Sequence, residues 1–306
     1  MKEITKELLR MISDFKGSFQ GAFNIREDGE CAGRSSSRNI RITSKTDRPG
    51  LDIHIAPHTK GETVFIPACV THSGVDDLVY NDFYVGQGAD VTIVAGCGVH
   101  SDGEEEARHN GIHRFFLEKD SRVLYQEKHL GTGTASGGIR RIDPVTDAQL
   151  EEGATLEMDT VQLGGVDDTL RKTTAVLGPG ARLMVRERIM TDHEEHARTD
   201  FTVTLKGEDC AADLISRSVA KGHSRQEFFS NMLGEARCTG HSECDAILAD
   251  SGSVSASPAL VASNLDAQLI HEAAIGKIAG EQILKLQTLG LTQEEAQQEI
   301  ISGFLA

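Results

Sequence analysis

The sequence lacks tryptophan and has only three tyrosines among its 306 residues. Enzymes that cleave polysaccharides on a β-solenoid need paired carboxylates and an exposed strand face with aromatic rings for sugar stacking. The shortage of large aromatic side chains therefore argues against a sugar-cleaving enzyme, which we keep only as a minor alternative. An assay for sugar depolymerisation would test it.

Long apolar runs and basic residues are also scarce. No stretch of roughly 18 apolar residues is present, so no membrane span is predicted. The N-terminal segment MKEITKELLRMISDFKGSF carries charges through its centre, unlike a signal peptide, and we expect a cytoplasmic protein. Lys and Arg number 31 against 47 Asp and Glu, a net charge of −16. Because phosphate groups are bound by clustered Lys and Arg, this balance argues against nucleic-acid or anionic-membrane partners.

Paired cysteine motifs and phosphate loops are missing as well. The six cysteines form no CxxC pair, and in a chain without a secretion signal we expect them to be reduced. Most are typical of small buried hydrophobic residues. The stretch GTGTASGG, residues 131–138, lacks the GK[ST] ending of an ATP-binding loop, so we predict a surface turn there.

Between about residues 52 and 264 the chain consists of short β-prone runs separated by glycine. Examples are LDIHIA, DVTIVAGCGV, TLEMDTVQL and FTVTL. A turn phrase with a small residue recurs at Ala89, Ser121, Ala154 and Ala181, at spacings of 32, 33 and 27. A repeat of about thirty residues predicts a β-solenoid, in which each coil buries its face on the next. A β-sandwich with regular hairpins is the alternative, although two-residue hairpin signals are few.

Only the two ends of the chain have helical patterns. Ile4, Leu8, Leu9, Ile12 and Phe15 fall at helical spacing. Near the C-terminus, glycine 290 and a T-x-x-E capping box (292 to 295) predict a helical hairpin from about 272 to 304 that is suited to capping the solenoid. We therefore divide the chain into an N-terminal helical or irregular segment (1–45), a β-helix core (46–265) and a C-terminal helical domain (266–306).

Two histidine-containing segments are candidate metal sites. His193 and His196 in HEEH are three residues apart, not the four of a zinc helix, and we predict an acidic turn. Cys97 is followed by His100, His109 and His113, and this segment fits either a metal or persulfide site or a buried cysteine beside surface histidines.

Cys244, His271 and Glu272 are the strongest metal-ligand candidates. Thiolate, imidazole and carboxylate together suit iron or zinc. Residues one coil apart, about 27 positions here, stack in a solenoid, so Cys244 and His271 are predicted neighbours. On residue types alone the alternative, that the three are unrelated, stays open.

The C-terminal sequence resembles the signature of the SufB/SufD family, scaffold subunits of the SUF iron–sulfur cluster assembly machinery. HEAAIGKI, the following E-Q-x-x-x-L-x-x-x-G-L-T helix and the I-x-x-G-F ending carry the resemblance. Further upstream, ISRSVAKGHSRQEF and GHSECDAILADSGSVSASPAL resemble two more family segments, and DVTIVAGC resembles the SufB strand that ends in E-G-C. The resemblance runs from about residue 50 to the C-terminus.

The resemblance implies a fold and partners. Family members have a right-handed parallel β-helix core flanked by helical regions, pair through the ends of their β-helices, and bind the ABC-type ATPase SufC through the C-terminal helices. We therefore expect a non-catalytic scaffold, with ATPase activity on a separate SufC-like partner and a transient iron–sulfur cluster as cofactor. We favour a homodimer. The sulfur donor protein is unknown, and no flavin motif is visible.

The resemblance also implies residue roles. Cys244 corresponds to the SufB cluster or sulfur ligand, His271 to a SufD histidine, and Glu272 to a SufB glutamate. Cys97 and His109 correspond to a proposed sulfur entry point. A SufD-like docking subunit without its own cluster remains the main alternative.

Three positions depart from the family pattern. His129 stands where SufB has a tunnel glutamine, Gly131 where it has a tryptophan, and Ile270 where it has an acidic residue. These changes put an internal sulfur route from Cys97 to Cys244 in doubt.

Overall fold

Parallel strands wind into a β-solenoid of about eight turns, with 59% of residues in strands. The structure is a computed structural model that describes residues 1–13, 15–134 and 138–306. It confirms the solenoid prediction over the sandwich. Part of the predicted surface turn, residues 135–137, lies outside the described residues; residues 131–133 end a strand. Among the described helices, none has the length and hydrophobicity to cross a membrane.

Three helices and twenty-one strands make up the described chain. The helices are α1 (Glu3–Ser13), α2 (Gly280–Gln287) and α3 (Gln293–Phe304). The strands are β1 (Ala22–Glu27), β2 (Glu30–Ser35), β3 (Ile40–Ser44), β4 (Gly50–Ile55), β5 (Lys60–Phe65), β6 (Ala68–Val70), β7 (Asp76–Val85), β8 (Asp90–Ser101), β9 (Ala107–Leu117), β10 (Arg122–Gly133), β11 (Arg140–Ile142), β12 (Val145–Leu150), β13 (Thr155–Leu163), β14 (Asp168–Leu177), β15 (Arg182–Thr191), β16 (His196–Leu205), β17 (Cys210–Ala220), β18 (Arg225–Gly234), β19 (Cys238–Leu248), β20 (Ser253–Ala262) and β21 (Gln268–Lys277).

Two long sheets form the walls of the solenoid. One sheet runs β2-β1-β5-β8-β10-β13-β15-β17-β19-β21, with β6 beside β1 and β8. The other runs β20-β18-β16-β14-β11-β9-β7-β4-β3, with β12 between β9 and β14. The pairs are parallel except for β1–β2 and β3–β4, which lie at the first coils. Each strand therefore stacks on the strand one coil earlier, which aligns side chains in columns along the solenoid.

The repeated turn phrase marks the start of a coil's strand. Ala89, Ser121, Ala154 and Ala181 are fully buried, each directly before β8, β10, β13 or β15. The residue before Ala89 is Gly88, whose φ is +63°, a left-handed conformation that glycine adopts without a Cβ penalty.

Alternating side chains fill the interior. In β9 every second residue is buried, as expected for a strand with one face on the core. Aromatic rings stack from coil to coil, for example Phe83 on Phe115 with 4.7 Å between centroids. Cys210, Cys238 and Cys244 belong to the same buried cluster, in agreement with the expectation that most cysteines are small core residues.

Helix α1 lies on the outer face of β8. Its Leu8, Leu9 and Ile12 are buried, which confirms the predicted apolar stripe. The helix approaches so closely that a Cβ at Gly96 would lie 2.6 Å from the backbone oxygen of Ile12. The helix therefore covers the outside of the strand that carries Cys97.

The element boundaries differ from the predicted segments. The first 45 residues contain three strands besides α1, because the chain enters the solenoid through the β1–β2 hairpin. The core continues past residue 265 through β21, so the strand occupies residues assigned to the C-terminal helical domain. The predicted capping box at Thr292 is present, and Gly290 has φ +101°.

The last coil is open. Strands β20 and β21 each have a hydrogen-bonded neighbour on one side only in the described chain. Helices α2 and α3 pack chiefly on each other. The predicted capping of the solenoid by these helices was wrong, since the side chains of the final coil remain largely exposed.

Candidate functional site

A cavity of about 220 Å³ opens among the first coils of the solenoid. Its wall includes Cys97, His109, His113 and Asn81, and basic side chains such as Arg34 also line it. Asn81 is 5% exposed, and its Oδ1 has no hydrogen-bond partner among the residues described. The cavity therefore brings a thiol, imidazoles and a free amide oxygen to one place.

Cys97 and His109, the two predicted sulfur-entry residues, share this cavity. Burial raises the pKa of the Cys97 thiol well above its ordinary value, and the charge of Glu127 adds to the rise. Nδ1 of His109 lies 3.0 Å from a carboxylate oxygen of Asp77. Burial opposes ionisation of Asp77, but hydrogen bonds from His109 and Arg26 hold the pKa of this carboxyl below its ordinary range. The His109 ring is thus fixed by a charged neighbour.

The other two histidines near Cys97 have different surroundings. His100 hydrogen-bonds Thr132 at 3.0 Å and does not line the cavity. His113 points inward, with Nδ1 2.7 Å from the hydroxyl of Tyr125. Tyr125 in turn donates to Glu127 at 2.7 Å, so Nδ1 of His113 carries the proton. Burial lowers the pKa of His113 to about 4, and the ring is neutral at pH 7.

The hydrogen-bond chain continues into an ionic cluster inside the solenoid. Arg171 contacts Glu127 at 2.5 Å and Glu187 at 3.2 Å. Glu187 also accepts hydrogen bonds from Thr199 at 3.0 Å and Ser216 at 2.9 Å. Arg171 is 3% exposed and each glutamate no more than 3%. One cation thus lies between two carboxylates in the interior.

His129 lies beside this cluster. It is in register with Cys97 on the neighbouring strand, and its Nδ1 accepts a hydrogen bond from Arg171 at 3.2 Å. Burial lowers the pKa of His129, against the opposing charge of Glu127. The histidine that replaces the family glutamine is therefore a neutral ring within the polar interior.

Such a cluster is costly for folding. Withdrawing charges from water is rarely repaid in full by their pairing, and apolar residues of similar size often stabilise a core more. Buried ionisable groups with shifted pKa values are correspondingly enriched at functional sites. The ionic cluster is therefore a candidate for function.

Cys244 lies at the other end of this interior. It is 1% exposed and in register with Ser216, the residue that donates to Glu187. Burial, with smaller effects of Glu187 and Asp245, raises the pKa of the Cys244 thiol to about 12. A short hydrogen-bond path thus connects the ionic cluster to the strand position next to Cys244.

His271 lies close to Cys244 but not directly above it. The coil offset here is 29 residues, so Ser242 is in register with His271, and Cys244 with Ala273. Strand alternation places His271 and Cys244 on the same inner face, one diagonal apart. The pKa of His271 is lowered by burial and by the nearby His241, and its Nδ1 lacks a hydrogen-bond partner among the described residues.

Glu272 lies on the opposite face of β21. It is in register with Glu243, and one of its carboxylate oxygens lies 3.8 Å from Nε2 of His241. Its side chain is 68% exposed, whereas Cys244 is buried. Within one chain the structure therefore brings Cys244 and His271 together and separates Glu272 from them.

The two thiols are far apart along the solenoid. Cys97 is on β8 and Cys244 on β19, with β10, β13, β15 and β17 between them, which is five strand-to-strand steps. At about 4.8 Å a step this is roughly 24 Å. The side chains of Glu127, Arg171 and Glu187 occupy the interior between them.

Sequence reasoning missed the ionic cluster. Tyr125, Glu127 and His129 alternate along β10, which is the spacing of one strand face, and that face also carries the buried Val123. The available signal was a charged residue, Glu127, at a position that alternation assigns to the buried face of its strand. His193 and His196 lie where predicted, in a turn and at the start of β16.

Comparison with known protein sequences identifies the family. The family model for the SUF system FeS cluster assembly SufBD core domain matches residues 80–304. That range includes Cys97, the ionic cluster, Cys244 and the C-terminal helices.

Individual proteins give the same result. The chain is 30% identical over 268 residues to an iron–sulfur cluster assembly SufBD family protein of Archaeoglobus fulgidus, covering 87% of this chain and 70% of that protein. A SufBD family protein of Methanothermobacter thermautotrophicus is 27% identical, and the match covers 76% of this chain and 56% of that protein. A SufBD family protein of Methanocaldococcus jannaschii is 21% identical, and the match covers 77% of this chain and 74% of that protein. With a family model matched over most of its length on a solenoid of this kind, the chain belongs to the SufBD family of iron–sulfur cluster assembly proteins.

Proposed function

We propose that this protein is a non-catalytic scaffold on which an iron–sulfur cluster is assembled, with Cys244 and His271 as ligands of the nascent cluster. The observation that carries the proposal is the ionic cluster of Glu127, Arg171 and Glu187 inside the solenoid. It lies between the two buried thiols that the family resemblance assigns to sulfur transfer. A core that served stability alone would be better filled with apolar side chains.

In this proposal the Cys97 thiolate attacks the outer sulfur of a donor persulfide, so that Cys97 becomes the persulfide and the donor is released as a thiol. Cys244 is the thiol that receives this sulfur at the other end of the interior, and Cys97 is then a thiol again. The departures at His129 and Gly131 do not empty the interior of polar groups, because His129 hydrogen-bonds Arg171. Charged and hydroxyl side chains along the path supply donors to an anionic sulfur species and proton acceptors to a thiol. The donor of the sulfur is a separate protein.

The proposed ligands suit a cluster that is handed on. The pKa of the Cys244 thiol is about 12, so the thiol binds iron only by releasing a proton. A single thiolate and an imidazole per chain hold a cluster less tightly than four thiolates. Glu272 faces away from this pair.

Two copies of the chain are proposed to pair through the open coil. Leu260 and Ile275 continue buried interior columns, being in register with Met232 and Ala246, yet they are 38% and 39% exposed. Unpaired strand edges and uncovered core positions are normally covered by another chain. Pairing there would place Cys244 and His271 of both chains near a shared interface.

The C-terminal helices are proposed to bind a SufC-like ABC ATPase. Helices α2 and α3 project from the solenoid, and Leu284 and Leu289 are 61% and 72% exposed. Deletion from Ala279 onward removes both helices but keeps β21, which ends at Lys277. Coexpression with such an ATPase should give a complex with the full chain and none with the truncated chain.

Anaerobic reconstitution with iron and sulfide tests the scaffold role. Wild type should develop visible absorbance and a cluster Mössbauer signature, and Cys244→Ala and His271→Ala should lose most of both. Cys210→Ala is the matched control, since Cys210 is an equally buried thiol on another strand. Full reconstitution in Cys244→Ala would show that Cys244 is not a cluster ligand. Absence of a cluster in wild type would favour the alternative, a SufD-like docking subunit without its own cluster.

A further inference from the structure

The outer face of the last two coils carries a compact group of metal-binding side chains. His241 and Glu243 project from β19, and Glu272 projects from β21 directly opposite Glu243. One ligand atom of each residue lies within 4.8 Å of the others. Only this group of three His, Cys, Asp or Glu residues meets that condition in the described part of the chain.

The imidazole in this group is oriented by a residue outside it. Asp213, one coil earlier and in register with His241, lies 2.7 Å from Nδ1 of the ring. With the Nδ1 proton donated to Asp213, the Nε2 lone pair points to the side of Glu272, 3.8 Å away. A carboxylate that fixes the distal nitrogen of a histidine is the usual outer-sphere arrangement at protein metal sites.

Among the described residues, the two glutamates have no ion-pair partner other than His241. No Lys or Arg nitrogen lies within 4.0 Å of either carboxylate among the ion pairs of the described chain. Elsewhere on the same sheet acidic side chains are paired with arginine on the neighbouring strand, as Glu157 is with Arg186 at 3.2 Å, one diagonal away. Like charges directly opposite on neighbouring strands repel, and in the part of the chain that the structure describes the His241 ring is the one basic group within 4.0 Å of either carboxylate.

We propose that His241, Glu243 and Glu272 form a binding site for one divalent transition-metal ion on the outer surface of the solenoid. One imidazole and two carboxylates suit iron(II), manganese(II) or zinc. Bonds of about 2.0–2.2 Å require the ligand atoms to close in by about an ångström, which the exposed Glu272 side chain can do by rotation.

This site lies on the other face of the strand that carries Cys244. Glu243 precedes Cys244 directly, and alternation turns the two side chains to opposite faces of β19. A role for the site in holding iron before cluster assembly would depend on the proposed scaffold function. As a metal site it stands on its own geometry.

Manganese(II) is the probe for the test, because its free ion has a strong EPR signal that binding reduces. Titration of the full chain should show one site, and Glu243→Gln and Glu272→Gln should each weaken it at least tenfold. Asp213→Asn, which changes the positioning residue only, should weaken binding by about ten- to a hundredfold. Both glutamine substitutions keep the side-chain shape, and thermal unfolding should match wild type.

Glu157→Gln is the matched control, since Glu157 is an acidic residue on the same sheet. Its binding should equal that of wild type. Equal affinity in wild type and Glu243→Gln, or equal weakening in Glu157→Gln, would overturn the proposal and indicate a diffuse acidic surface.

Cys244→Ala separates this inference from the scaffold function. It should bind manganese as wild type does while losing the reconstituted cluster. If the chain assembles a Cys244-dependent cluster but does not bind manganese at His241, Glu243 and Glu272, only the proposed surface metal site is refuted. A chain that binds manganese in that site but forms no cluster refutes only the scaffold role.

Discussion

Arg171 lies between two buried carboxylates, and each of them depends on it for charge balance. Replacing it with methionine leaves Glu127 and Glu187 without a cation, and breaking a buried pair in this way costs about 3–5 kcal/mol. We expect Arg171→Met to lower the free energy of unfolding by that amount in urea titrations.

A surface pair provides the control for this prediction. Arg186 and Glu157 lie 3.2 Å apart with side chains 64% and 35% exposed, and such pairs contribute about 0–1 kcal/mol. Arg186→Met should therefore change stability little. A similar loss in both variants would show that the buried cluster is not held by its cation.

His113 makes stability depend on pH. Its pKa is about 4 in the folded protein against an ordinary 6.5, so the unfolded chain binds a proton more readily. Stability should fall as pH falls from about 6.5 towards 4, by roughly 3 kcal/mol from this residue. Urea unfolding at pH 7, 6 and 5 measures the slope.

The variant His113→Gln should flatten part of that slope. His129, whose pKa is also lowered, contributes in the same direction and should keep the remainder. An unchanged slope in the variant would mean that His113 is not the neutral, buried ring described here.

At the scale of elements, α1 depends on glycines in β8. A Cβ at Gly96 would lie 2.6 Å from the backbone oxygen of Ile12, so Gly96→Val should push the helix off the sheet. The loss exposes Leu8 and Leu9, at about 1.5–3 kcal/mol each. Hydrogen–deuterium exchange should then speed up across residues 3–13 while the distant coils keep their protection.

Gly276→Ala is the control for this substitution, because a Cβ there meets no atom within 4 Å. Slow exchange in α1 of Gly96→Val would show that the helix does not rest on this strand as described.

The sequence predicted the individual strands, turns and helices better than it predicted which residues of neighbouring strands lie opposite each other. The small residue before each turn, the strands and the Thr292 capping box are local patterns, and all three are present. The register between coils is not local, because turn lengths vary: the offset is 27 residues from β13 to β15 and 33 from β10 to β13. The offset assumed for Cys244 and His271 was therefore two residues short of the actual 29.

Glu272 illustrates what strand parity adds to such a prediction. His271 and Glu272 are adjacent, and neighbours on a strand face opposite sides. Once β21 is known as a strand rather than the start of a helix, the two cannot share one inner site in one chain. The ionic cluster was missed for the related reason that Glu127 and Arg171 lie on different sheets, 44 positions apart.

At the scale of the whole molecule, the exposed final coil predicts association. Leu260→Lys with Ile275→Lys puts charges on interior columns that a second copy would cover, so light scattering should show half the wild-type mass. Leu163→Lys, at a position 42% exposed on β13 away from the open coil, should leave the mass unchanged. A monomeric wild type, or an undiminished mass in the double variant, would contradict the proposed pairing.

The two ends of the solenoid differ in structure, and in the proposed pairing this difference limits how many copies can associate. At the first coils the antiparallel β1–β2 and β3–β4 pairs replace the parallel stacking found elsewhere, so another parallel coil finds no matching template there. A subunit with adhesive surfaces at both ends would add copies head to tail into filaments. In the proposed pairing only the last coil is adhesive, so joining two subunits uses both of these ends and polymerisation stops at the pair.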